Sequence, residues 1–66
     1  MMNSKKAATH EELFQKLEHY TNIIRGFIGQ QNIEPFFDYD GEIKKLYAKY
    51  PEDRKIIFTA AQEAHK

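Results

Sequence analysis

The chain has 66 residues, no cysteine, and ten basic against ten acidic side chains, so its net charge is zero. That length is one domain at most, burying only about 60% of the surface its unfolded chain exposes. Without cysteine, a disulfide staple, a thiolate zinc site and a cysteine nucleophile are all excluded, and the charge balance argues against bulk nucleic acid or an anionic membrane as the main partner.

Residues 1–8 show no periodic pattern and read as a flexible N-terminal tail. A single helical domain is expected over 9–66. It opens with Thr9, which is placed to cap a helix, and Glu12 three residues on completes a capping box. Leu13, Phe14, Leu17, Tyr20, Ile24, Phe27 and Ile28 follow in steps of three and four, and Ile23 widens their stripe. This spacing predicts a helix from Glu11 to Ile28. Gly29 is placed to end it in a left-handed conformation, with Asn32 as the other candidate, and Gly26 reads as a close-packing position. Pro35 restricts the backbone before it, so residues 30–35 are expected to form the connection.

Asp40-Gly41 suits a hairpin turn if strands flank it. However, Ile43, Leu46, Tyr47 and Tyr50 form an i, i+3, i+4, i+7 stripe, which favours a helix over 41–50. Asp38 or Asp40 would cap it, and Asp40–Lys44 and Glu42–Lys45 have the spacing of supporting pairs. Pro51-Glu52-Asp53 starts a last helix over 51–64, with the two acids at the positive end of its dipole. Ile56, Ile57, Ala60, Ala61 and Ala64 supply its apolar stripe. The expected fold is all-α, a small three-helix bundle with the option of one extra helical turn at 35–39. Its core is expected to include Leu17, Ile24, Leu46 and Ile57.

Two motifs invite a functional reading that their own residues weaken. Asp38-Tyr39-Asp40-Gly41-Glu42-Ile43 resembles part of an EF-hand calcium loop. In that register, however, the first and twelfth positions are Phe36 and Tyr47, and neither is a ligand. Ile23-Ile24-Arg25-Gly26-Phe27-Ile28-Gly29 resembles the GxxG region of a KH domain. Its loop interior would be the apolar Phe27-Ile28, and residues 1–8 supply no preceding strand. Catalysis is not expected: His10, His19 and His65 include no i, i+4 pair, and Ser4 is the lone serine and stands in the tail. No metal and no cofactor are expected.

Charge is distributed unevenly. Glu34, Asp38, Asp40 and Glu42 stand between Ile33 and Ile43 with no base among them, and Phe36, Phe37 and Tyr39 alternate with them. Three short helices cannot cover all nine aromatics, so some of Phe36, Phe37, Tyr39, Tyr47, Tyr50 and Phe58 should be exposed. An aromatic patch rimmed by one sign of charge is the pattern of a protein interface. Glu34, Phe36, Phe37, Asp38, Tyr39, Asp40 and Glu42 are therefore the candidate partner-binding residues. The expected function is a non-catalytic binding module, a small regulator or inhibitor that contacts another protein with a basic surface. Association into a homo-oligomer is also expected, because small cores favour it. The runner-up is a helix-turn-helix DNA-binding protein using Lys44, Lys45 and Lys49 on the second helix and Arg54, Lys55, Gln62 and Lys66 on the last, where Glu52, Asp53 and Glu63 count against it. No stretch approaches the roughly 20 apolar residues of a membrane span, no leader pattern is evident, and a cytoplasmic location is expected.

Overall fold

The computed structural model describes residues 10–66. The expected tail at 1–8, Ser4 and the capping residue Thr9 lie outside the described residues. Helix α1 spans His10–Ile33, α2 spans Tyr39–Lys49, a single 3-10 turn covers Pro51–Asp53, and α3 spans Arg54–Ala64. The result is a small all-α bundle, 86% helical and without strands among the described residues. The hairpin alternative at Asp40-Gly41 therefore does not form.

Helix α1 does not stop at Ile28. It continues to Ile33, and no glycine or other residue among those described has a positive φ. Gly26 and Gly29 are thus ordinary helical positions rather than terminators. The cost of a glycine inside a helix is about 1 kcal/mol. Packing of Phe27 and Ile28 against the core on the same turns offsets it. Gly26 is not a close-packing position either, since a Cβ built on it or on Gly29 meets nothing within 4 Å. Pro35 sets the true end. The N–H of Glu34 still donates to the Gln30 carbonyl at 2.8 Å, and the Phe37 N–H then donates to the Glu34 carbonyl at 3.0 Å. The connection is a β-turn with proline at its second position, where its fixed φ is favoured.

Asp38 caps α2, accepting from the Gly41 N–H at 3.0 Å. A Cβ at position 41 would collide with the Asp38 carboxylate. The Asp40-Gly41 signal is thus a helix-start signal: the glycine makes room for the cap. Of the two expected supporting pairs, Glu42–Lys45 forms at 3.2 Å, whereas no Asp40–Lys44 bridge is seen among the described residues.

Tyr20, Ile24, Leu46, Ile57 and Ala60 make the buried core. Three of the four expected core residues are in it. Leu17 is only half-buried, because it stands where α1 begins to outrun its cover. At 1.5 Å per residue α1 is about 36 Å long, while α2 and α3 are each about 16 Å. The whole measures 49 × 22 × 14 Å. The overhang leaves Leu13 and Phe14 exposed at one end of α1 and Ile33 at the other.

Replacing Gly26 or Gly29 by Ala should stabilise the protein by about 1 kcal/mol each, raising the melting temperature by about 4–8 °C per substitution in a domain of this size. Ile24→Ala should instead cost about 2–5 kcal/mol. Thermal melts followed by circular dichroism check all three. A destabilising Gly26→Ala would restore the close-packing role.

Candidate functional site

Asp53 is expected from sequence to sit at the start of the last helix and interact with its dipole. It does precede α3, but its side chain makes no cap bond. The carboxylate turns inward instead. One oxygen accepts from the Tyr20 hydroxyl at 2.6 Å and the other from the Lys16 ammonium at 3.2 Å. The Asp53 residue is only 6% exposed. The Tyr20 hydrogen bond holds its carboxyl below the ordinary value; burial opposes this and the Lys16 charge assists it. The Tyr20 hydroxyl is pushed up, first by burial and then by its bond to Asp53. This clamp borders a cleft of about 620 Å³ that also includes His19, Tyr50 and Glu52. Both carboxylate oxygens are taken, so the clamp acts as a structural tie. Among the described residues no group of three or more histidine and acidic side chains could hold a metal ion.

The acidic-aromatic segment divides into an inward and an outward part. Phe37 is half-buried, its ring centroid 6.1 Å from that of Phe27. Tyr39 is half-buried, and its hydroxyl lies 2.7 Å from the His65 Nε2 with the rings edge-to-face. That contact ties the start of α2 to the end of α3. Asp38 is committed to the cap and Glu42 to Lys45. Phe36, in contrast, is 99% exposed and Ile33 beside it is 77% exposed. Glu34 and Asp40 are exposed alongside them. The seven sequence-selected residues therefore share one end of the bundle, but only Glu34, Phe36 and Asp40 present an uncommitted surface there. Ile33 is the residue that sequence reasoning missed, because it was assigned to a connecting segment. Pro35 was the available signal: the restriction acts on residue 34, which allows a helix through residue 33.

A second aromatic surface lies away from this tip. Phe58 is 57% exposed and, with Tyr47, Arg54, Lys55 and Thr59, lines a groove of about 510 Å³. The Arg54 guanidinium lies 5.5 Å from the Tyr47 ring centroid, close enough for a cation–π contact. Across Lys55 and Thr59 the groove adjoins an apolar hollow formed with Leu13, Phe14, Leu17 and Ile56. Phe58 is among the aromatics that three helices were not expected to cover. Its spacing of four from Arg54 and three from Lys55 on α3 was the available signal for a shared face; that Tyr47 completes the groove was not legible, because it requires the relative placement of α2 and α3.

Tyr20→Phe should destabilise the protein by about 1–3 kcal/mol by leaving a buried carboxylate oxygen without its donor. Lys16→Met should cost less, because that ammonium is half-exposed and screened. The pH dependence has a definite sign. Because folding depresses the Asp53 pKa, its contribution is complete above the ordinary value of 3.8 and is lost as pH falls through the folded one. Tyr20, shifted upward, contributes below its ordinary value of 10.0 and loses that contribution in stronger alkali. Melting temperatures measured from neutral pH into acid should fall more steeply for the wild-type chain than for Asp53→Asn. Parallel curves would remove the clamp from the list of stabilising contacts.

No family model matches the chain, and no curated protein or solved structure matches it.

Proposed function

We propose that this chain is a non-catalytic protein-binding module, a small regulator or inhibitor that acts by contact through the turn between α1 and α2. The observation that carries this reading is the almost complete exposure of Phe36, at 99%, next to Ile33 at 77%. Each exposed apolar side chain forgoes burial worth about 1.5–3 kcal/mol, and neither sits in a core that would explain it. Aromatic anchors supply binding energy at interfaces. Glu34 and Asp40 flank the anchor and would steer a partner with a basic surface. No helix of the described residues is long and apolar enough to cross a membrane.

The reading can be tested in the source cell with a photocrosslinking phenylalanine analogue at position 36 and the same analogue at Lys44 as an exposed control. A discrete protein adduct from position 36 and none from position 44 is expected. Phe36→Ala should weaken capture of that partner by about 2 kcal/mol or more. Absence of any adduct from position 36 would contradict the proposal.

The connection between α2 and α3 favours a second reading. It is confined to residues 50–53, exposed Lys49, Arg54 and Lys55 flank it in sequence, and exposed Lys44 and Lys45 lie further back on α2. A helix-turn-helix protein places two helices and basic residues in this way. DNA binding would fall steeply between about 50 and 200 mM salt. Fluorescence anisotropy with labelled duplex DNA distinguishes the readings, and the protein-binding proposal expects no duplex binding at physiological salt.

A further inference from the structure

Tip and groove have opposite chemistry on one chain. The tip, residues 33–42, carries four acids and no base, with Phe36 projecting from it. The groove carries Arg54 and Lys55, no acid lines it, and its apolar walls are Tyr47 and Phe58. Its volume of about 510 Å³ falls within the range of about 300–1,000 Å³ found for ligand pockets, enough to admit an aromatic ring. The stacking of Arg54 over Tyr47 holds one cation in place before any partner arrives. Phe36 is 99% exposed, so the tip does not fill the groove of its own chain.

We infer that the occupant of the groove is the acidic-aromatic tip of a second copy of this chain, with the contact made twice in a two-fold symmetric dimer. This inference rests on the proposed binding role of the tip and names the basic surface it meets. Phe36 of one copy enters between Tyr47 and Phe58 of the other, while Glu34 and Asp40 face Arg54 and Lys55. Symmetry favours this closed form, because a patch and its complement on one subunit are both satisfied when two copies exchange them. The zero net charge adds no general repulsion between copies. The exposed Phe14 and Leu13 adjoin the groove and extend the apolar area toward the total of about 1,200 Å² at which stable interfaces begin.

A charge-exchange experiment tests the inference by sedimentation equilibrium on the full chain. One variant carries Glu34→Lys and Asp40→Lys. Asp38 and Glu42 stay, since they cap α2 and pair with Lys45. The other variant carries Arg54→Glu and Lys55→Glu. The wild-type chain is expected to reach twice its 7.8 kDa mass at micromolar concentration. Each variant alone brings like charges together and should dimerise at least about tenfold more weakly. An equal mixture of the two restores both contacts and should dimerise within about threefold of wild type. Circular dichroism confirms that each variant is folded. Phe36→Ala provides an independent arm, because so exposed a ring contributes little to the fold, and it should dimerise at least about tenfold more weakly.

A wild-type chain that stays at 7.8 kDa throughout would overturn the inference. So would folded variants whose mixture does not associate, or a Phe36→Ala chain that dimerises normally. Salt-sensitive binding of duplex DNA that is lost with Arg54→Glu and Lys55→Glu would assign the groove to phosphates and also overturn it. The photocrosslinker at position 36 separates this failure from that of the broader reading. An adduct with a different protein and a monomeric chain would leave the module proposal standing alone; no adduct of any kind would remove both.

Discussion

The Asp53 carboxylate lies between α1 and α3 with both oxygens occupied, one by Tyr20 and one by Lys16. A buried ionised group is tolerated only when it is paired and hydrogen-bonded, so this geometry restricts where α3 can begin. It requires the turn at Pro51–Asp53 to bring residue 53 over the Lys16–Tyr20 stretch of α1. From there Ile57 and Ala60 fall into the core beside Ile24. At the far end His65 reaches Tyr39, so α3 is tied at its start to α1 and at its end to α2. Among the described residues the buried apolar core is five side chains, and polar ties of this kind carry a larger share of the specificity than they would in a bigger domain.

The same geometry determines which side chains remain uncovered. Two 11-residue helices cannot cover a 24-residue one. The apolar stripe of α1 therefore runs out into solvent at Leu13 and Phe14, and again at Ile33. The β-turn that follows sends Phe36 outward while Phe37 folds back onto Phe27. With α3 held by Asp53, its outer face places Arg54, Lys55 and Phe58 beside Tyr47. The acidic-aromatic tip and the basic-aromatic groove are thus consequences of helix lengths and of one polar tie. Their opposite charges make them candidates to cover each other.

Periodicity in the sequence carried most of the fold. The stripes that locate α1, α2 and α3 are evident at Leu17–Ile24, Ile43–Tyr50 and Ile56–Ala64, and the burial of Ile24, Leu46 and Ile57 followed from them. The misplaced end of α1 has its origin in local propensity. Gly26 and Gly29 suggested a helix end, but packing of Phe27 and Ile28 overrode the glycine penalty and only Pro35 stopped the helix. At Asp40-Gly41 the stripe from Ile43 to Tyr50 rightly outweighed the hairpin alternative, and the glycine serves the Asp38 cap. The candidate surface was legible as a segment, since four acids and three aromatics within it are visible without coordinates. The split between Phe36 outside and Phe37 and Tyr39 inside was not legible, because it depends on Phe27 and His65, which are distant in sequence. The Asp53 tie was not legible for the same reason: at the start of a helix an aspartate has an adequate local role, and nothing local indicates that Tyr20 is within reach.

The most direct measurement is an isotope-filtered nuclear Overhauser experiment on an equal mixture of labelled and unlabelled full-length chain, at a concentration where sedimentation shows the dimer. Cross-peaks between the Phe36 ring of one copy and the Tyr47 and Phe58 rings of the other are the expected result. Intermolecular cross-peaks confined to other residues, or none at all from Phe36, would contradict the assignment of tip to groove.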